Sequence, residues 1–315
     1  MCYLARNLDK GQLVIMRCDK VVITVFTPTF NRCNELIRLY KSLCNQTKMN
    51  FEWIVVDDGS SDNTREYVQA FQQNSPFTIR YIHQVNSGKH VAHNLAANIS
   101  EGRYFICVDS DDWLEPNAIE TVLEDLDSLG SEEGLIYPRL FTNQIGLNKW
   151  FQDGVAKVEL ADIRMKFGLV IETAIVFNIS VLRRHPFPAI VGEHYMPEES
   201  SYYDFKSPEV FLVRNETFYR CEYLDEGLTK NIWHNWISNP IGTQIALEKR
   251  YETAKCYSGL YAIKNRIGAI IGLESLHMAC VKHAPYPDSM KSLLALAVLP
   301  FAMMLCWKRF GAIKL

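Results

Sequence analysis

Asp109-Ser110-Asp111-Asp112 sets three carboxylates within four residues, directly after the apolar run 104–108. Like charges packed this closely repel and raise one another's pKa, so a positive partner is expected among them. Asp109 and Asp111 stand two apart around a strand end, a spacing that lets both turn toward one bound object. Hard carboxylate oxygens suit Mg2+ or Mn2+, which take one or two protein carboxylates and complete their shell with substrate phosphate oxygens. A solvated acidic turn would use the same residues, and two spaced carboxylates alone do not separate the readings. Asp57 and Asp58 add a second acidic edge after the apolar run 53–56. Gly88 in "NSGKH" lets backbone approach a ligand, the helix start behind it favours phosphate, and Lys89 adds a cation. Neither GxxxxGK[ST] nor GxGxxG occurs, which excludes a P-loop and a nicotinamide fingerprint. The set reads as a site for a diphosphate carried on a divalent metal. His83, His90 and His93 lack a further ligand at zinc-site spacing, and no Cys or Ser triad has sequence support.

These residues need a scaffold, and the hydrophobic pattern supplies one. Residues 21–28 read as a buried β-branched strand, and 32–46 as a helix with Leu36, Ile37, Tyr40, Leu43 and Cys44 at helical spacing. A second strand and turn occupy 51–64, and Ser61 or Asp62 can cap a helix running to about Gln73. Strands follow at 77–84, 102–112 and 134–141, with helices at 87–100 and 115–129, the last with Pro116 in its first turn. Strands alternating with helices argue for a parallel α/β sheet covered on both faces. Ligands in such sheets bind beyond the carboxyl ends of strands. "TPTFNR", "DDGSSDNT", "NSGKH" and "DSDD" all fall at those ends, so four polar loops describe one site. Beyond residue 150 the pattern is less regular. A strand leads into a short helix at 170–184, 192–205 is acidic and aromatic, and 242–284 is helical.

The bulk numbers bound the rest. A chain of 315 residues has length for one large domain or two modest ones. A net charge of −3 gives no basic footprint for nucleic acid. Nine cysteines without a CxxC pair read as reduced thiols of a cytosolic protein. Residues 1–20 contain no apolar signal region, and Met16 is an alternative start. Residues 293–307 are uncharged and precede Lys308 and Arg309. That run is short of the ~20 residues of a bilayer span, and Pro300 interrupts it. It reads either as a buried terminal helix or as a membrane-surface anchor.

The four motifs in order, "VVITVFTPTFNR", "WIVVDDGSSDNT", "NSGKHVAHNLA" and "YFICVDSDDWLEP", resemble bacterial family 2 glycosyltransferases of surface-polysaccharide type. The likeness is strong over about 20–130 and weaker through "GEHYMPEESSYYD" and "EYLDEGLTKN". It implies a GT-A fold: a mostly parallel central sheet with flanking helices and a helical C-terminal extension. The expected divisions are an extension at 1–20, a catalytic domain at 21–225 (nucleotide half 21–130, acceptor half 131–225) and a helical region at 226–315. The resemblance implies that Thr27, Pro28, Asn31, Asp57, Asp58, Gly88, Lys89 and Asp109 bind the nucleotide sugar. Asp57 would meet the base, usually uracil, and Lys89 the sugar or diphosphate. Asp111 would ligate Mn2+ or Mg2+, with Asp112 as the alternative. Glu198 or Glu199 of "PEESSYY" would be the catalytic base, Glu198 favoured by its place after proline. The implied function is an inverting, metal-dependent hexosyltransferase. It would move a sugar from a nucleotide-diphosphate donor, expected to be a UDP-sugar, to a glycan or lipid-linked acceptor of capsule, exopolysaccharide or O-antigen. The expected place is the cytoplasm or the inner face of the cell membrane. The alternatives are a non-catalytic sugar-nucleotide-binding protein of the same fold, disfavoured by the intact acids, and a sugar nucleotidyltransferase. The latter opens with a glycine-rich loop, and "TPTFNRCNE" has no glycine.

Overall fold

The computed structural model describes residues 21–142, 150–222, 231–280 and 293–311. The expected extension at 1–20 and most of the "EYLDEGLTKN" match lie outside the described residues. The first half alternates β1 (Ile23–Thr29), α1 (Cys33–Cys44), β2 (Phe51–Asp57), α2 (Thr64–Asn74), β3 (Thr78–His83), α3 (Lys89–Ile99) and β4 (Tyr104–Cys107). All four strands run parallel, in the order β3-β2-β1-β4. Alternate side chains explain why both faces are covered. Trp53 and Val55 pack with Leu36, Leu39, Leu43, Val68 and Phe71 on one face. Ile54 and Val56 pack with Ala92, Ala96 and Ala97 of α3 on the other. The chain leaves β1 in one direction toward β2 and returns on its other side as β4. The switch point therefore falls between "TPTFNR" and "DSDD", where an open sheet leaves a crevice.

The second half turns the sheet mixed. It comprises β5 (Trp113–Leu114), α4 (Ala118–Leu126), β6 (Gly134–Phe141), β7 (Lys157–Val158), α5 (Asp162–Met165), β8 (Thr173–Asn178), α6 (Ile179–Leu182), α7 (Glu199–Tyr202), β9 (Phe211–Val213) and β10 (Tyr219–Cys221). β8 runs antiparallel to both β4 and β6, and β10 runs parallel to β6. Helices α8 (Ile232–Ser238), α9 (Pro240–Lys255), α10 (Leu260–Ala279) and α11 (Leu293–Phe310) complete the chain.

Three local expectations shift. The fourth strand ends at Cys107 rather than 112, because the acidic turn leaves the ladder as soon as the apolar run stops. α4 begins at Ala118, so Pro116 lies before its first turn; the Pro116 carbonyl accepts from Thr47 N–H at 2.9 Å instead. The cap residue of α2 is Asn63 rather than Ser61 or Asp62, though Asp62 accepts from Thr64 N–H at 3.1 Å. Its other oxygen accepts from Cys33 N–H at 3.1 Å, so one carboxylate holds the first turns of α1 and α2 together.

Candidate active site

The question posed by the acidic turn has a direct answer: the cations are the chain's own. Lys89 Nζ lies 2.5 Å from Asp109 Oδ1. Arg139, from the middle of β6, reaches Asp109 at 3.4 Å, Asp112 at 3.6 Å and Glu172 at 3.8 Å. Arg32, just before α1, pairs with Asp111 at 2.5 Å across the switch point. Tyr219, opposite Arg139 in the β6–β10 register, donates its hydroxyl to Asp112 at 2.7 Å and accepts from Asp109 N–H at 3.1 Å. Arg139 also lies over the Tyr219 ring, 4.3 Å from its centroid.

These neighbours drive Asp109 and Asp112 apart. Burial alone would raise Asp109, but Lys89 and Arg139 hold its carboxyl well below the usual range. Asp112 is pushed up to about 7 by burial and by the Asp109 charge, against the pull of Arg139 and Tyr219. Its ordinary value is ~3.9, so folding favours its protonated form and its charge costs stability above pH ~4, increasingly until pH ~7. Asp112→Asn keeps an acceptor for Tyr219 and removes that charge. The variant should gain about 1–3 kcal/mol over wild type at pH 8 and almost nothing at pH 4, read from urea midpoints without metal.

The nucleotide loops are tied to one another by the predicted residues themselves. Asn31 has a left-handed backbone (φ 53°), its N–H donates to Ser60 Oγ at 2.8 Å, and its Oδ1 accepts from Ser61 N–H at 2.8 Å. Asp57 is buried, accepting from Ser60 N–H at 2.8 Å and from the Tyr81 hydroxyl at 2.5 Å. Asp58 accepts from Gln84 Nε2 at 2.6 Å and from the N–H groups of Ser87 and Gly88, both at 2.8 Å. Its charge thus fixes the turn that presents Lys89. Asp58→Ala would orphan two backbone donors, and we expect it to lower unfolding stability by about 2–4 kcal/mol in urea titrations. Thr27 is buried in β1 and accepts from Trp53 Nε1 at 2.9 Å, while Pro28, next along the strand, is half-buried. Gly88 has φ 93°, and a Cβ there would stand 2.2 Å from the His194 carbonyl oxygen. Only glycine lets the 192–196 segment close over this turn. His93 sits edge-on to Phe26, Phe105 and Phe187, and burial, then Lys89, pushes it down to about 3. It is a neutral core ring.

Glu198 and Glu199 differ sharply. Glu199 pairs with Arg250 and, at 3.5 Å, with Arg164. Burial would raise it, but the two arginines hold it low. Glu198 precedes α7 with its side chain open to solvent, and among the described residues its carboxylate has no hydrogen-bond or ion-pair partner. It nevertheless stands between walls that displace much bulk water. That burial raises its pKa, with Lys89 and Arg139 pulling against it and Asp109 and Glu199 adding to it. Glu198 therefore feels the same charges as the acidic turn.

Among the described residues no group of three or more His, Cys, Asp or Glu side chains is gathered to hold an ion. The donor set still fits Mg2+ or Mn2+ of the kind that keeps one or two carboxylates and fills its shell with phosphate and water. Asp111 stands at the open edge with its carboxylate paired to Arg32, and Asp112 is adjacent.

Sequence reasoning passed over Arg139, Tyr219 and Arg32. Arg139 did leave a signal: it is a lone cation in the apolar strand "GLIYPRLF", and a buried cation requires an anion. Tyr219 left none.

The parallel sheet, its switch point and the loops gathered there define a GT-A glycosyltransferase fold. Similarities to known proteins agree. Residues 24–168 match the glycosyl transferase family 2 model, and this chain carries a domain of that family. Chondroitin synthase of Escherichia coli is 36% identical over 123 residues, 39% of this chain and 18% of that protein. The chain therefore matches less than a fifth of that relative's length. Among solved structures, S. aureus TarS 1–349 in complex with UDP-GlcNAc superposes with a TM-score of 0.57 at 18% identity, covering 92% of this chain and 91% of that one. The mannosyltransferase PcManGT of Pyrobaculum calidifontis, in complex with GDP-Man and Mn2+, gives 0.52 at 16% identity, covering 91% and 80%.

Proposed function

We propose that the chain is an inverting glycosyltransferase that moves a sugar from a nucleotide-diphosphate donor, a UDP-sugar, to a glycan or lipid-linked acceptor of a bacterial surface polysaccharide. A lipid-linked acceptor would bring the enzyme to the inner face of the cell membrane. The observation that carries the reading is Glu198: a carboxylate with no ion-pair partner among the described residues, its pKa raised by burial, within the field of Lys89, Asp109 and Arg139 at the switch point. Asp57 meets the base, Thr27, Pro28 and Asn31 shape its pocket, and Asp58 and Gly88 hold the turn from which Lys89 reaches the diphosphate. Asp109 keeps Lys89 and Arg139 in place. Asp111, with Asp112 beside it, would hold Mn2+ or Mg2+. When bound, that ion neutralises charge developing on the departing diphosphate. Lys89 and Arg139 add fixed positive charge on the same side. Glu198 takes the acceptor hydroxyl's proton as the oxygen attacks the anomeric carbon. In-line attack inverts that centre.

The test is a panel of nucleotide sugars scored, with and without Mn2+, for thermal stabilisation and slow donor hydrolysis. One donor should stabilise the fold in a metal-dependent way. A panel in which no nucleotide sugar shifts the melting point refutes the reading. A donor that binds but is never turned over, with any acceptor, leaves a binding protein instead.

A further inference from the structure

The sequence left the segment 293–307 with two readings, and the structure divides it between them by face. Ala295, Val298, Ala302 and Phe310 of α11 are buried. Ser275 of α10 donates from Oγ to the Ala302 carbonyl at 3.0 Å, anchoring that side. The opposite side carries Leu296, Phe301, Met303, Met304 and Trp307, between 58% and 79% exposed. At 100° per residue these positions and Pro300 fill an arc of about 160°. It holds no charge before Lys308. A surface helix ordinarily turns polar residues to water, and a contiguous apolar strip marks an interaction surface.

Charge identifies the partner. From 289 to 315 the chain has Lys291, Lys308, Arg309 and Lys314 and no Asp or Glu, whereas the whole chain is net −3. Arg309 is engaged over the Trp233 ring, 4.0 Å from its centroid, leaving Lys308 as the exposed cation of the helix. An apolar strip with Trp near one end and a lysine beside it is the pattern of a helix lying in a bilayer interface. Among the described residues no helix is long and apolar enough to cross a membrane. We propose that the outward face of α11 docks in the plane of an anionic lipid bilayer. Leu296, Met304 and Trp307 enter the acyl boundary and Lys308 meets headgroup phosphates. Eighteen residues give about 27 Å of contact. The inference rests on the lipid-linked acceptor only for its purpose, and its assay contains neither donor nor acceptor, so the two readings fail separately.

The test is co-sedimentation of the full chain with phosphatidylcholine vesicles, with and without phosphatidylglycerol. Wild type should partition at least about tenfold better onto the anionic vesicles, and high salt should remove much of that preference. Leu296→Glu with Met304→Glu should lower partitioning about tenfold or more at unchanged melting temperature, since both sites are exposed. Lys308→Glu, which leaves the apolar strip intact, should remove the anionic preference alone. Wild type that stays in the supernatant, or a double variant that binds as well as wild type, overturns the proposal. So does a dimer in light scattering, without vesicles, that the double variant returns to monomer: the face would then bind a second copy.

Discussion

Glu198→Gln should lower kcat by about 10²–10⁴-fold, the contribution of a positioned general base. Glutamine keeps the shape and cannot take the acceptor's proton. Because the Glu198 carboxylate has no ion-pair partner among the described residues, the change should leave the urea midpoint nearly unmoved. Donor KM should change little. Glu199→Gln should show the reverse profile. It deprives Arg250 and Arg164 of their anion in a largely buried setting, so stability falls by about 3–5 kcal/mol while kcat falls modestly. The pH profile separates the two further. A base works deprotonated, and burial raises the Glu198 pKa. The wild-type rate should therefore climb with pH through a midpoint above the ordinary glutamate value of ~4.3 and then level off. Glu198→Gln should lose that rising limb. If Glu199→Gln abolishes transfer and Glu198→Gln does not, the assignment of the base is wrong.

The contrast between these two glutamates was illegible in the sequence. "PEESSYY" offers both at similar spacing to an aromatic residue. What separates them is Arg250, 51 positions away on α9, and Arg164 on α5. Local pattern carries no information about such partners. The first half of the fold was legible because its signals are local: apolar runs of strand length, helical periodicity, and polar turns where each strand stops. The same logic predicted the gathering of four loops, since parallel strands put their ends on one edge. It failed where pairing is non-local and short. The strands β5, β7, β9 and β10 have two or three residues each, too few for a period; β9 and β10 pair with β6, and β7 and β5 then add to those two. The acidic turn was half-read. Its excess charge demanded cations and suggested a metal, but Lys89, Arg139 and Arg32 come from three other elements.

Those internal cations raise a sharper expectation for Asp111. Asp111→Asn should reduce metal-dependent transfer by about 10³-fold, equivalent to about 4 kcal/mol of transition-state stabilisation. The fold should not suffer. The Arg32–Asp111 pair is partly exposed on both sides, and such pairs are worth about 0–1 kcal/mol. The signature is therefore lost linkage rather than lost stability. Wild type with Mn2+ and its donor at a hundred times Kd gains about 2.7 kcal/mol, and the variant should gain almost none. Arg32→Ala supplies the converse. It removes the cation that competes for the same carboxylate, so Mn2+ alone should bind several-fold tighter, measured by calorimetry without any donor. Asp109→Asn should behave differently from both, because its charge holds two partly buried cations and its loss destabilises the folded state itself. Transfer that persists undiminished in EDTA would mean that Lys89 and Arg139 neutralise the diphosphate unaided. Asp111 would then be no more than the Arg32 anchor.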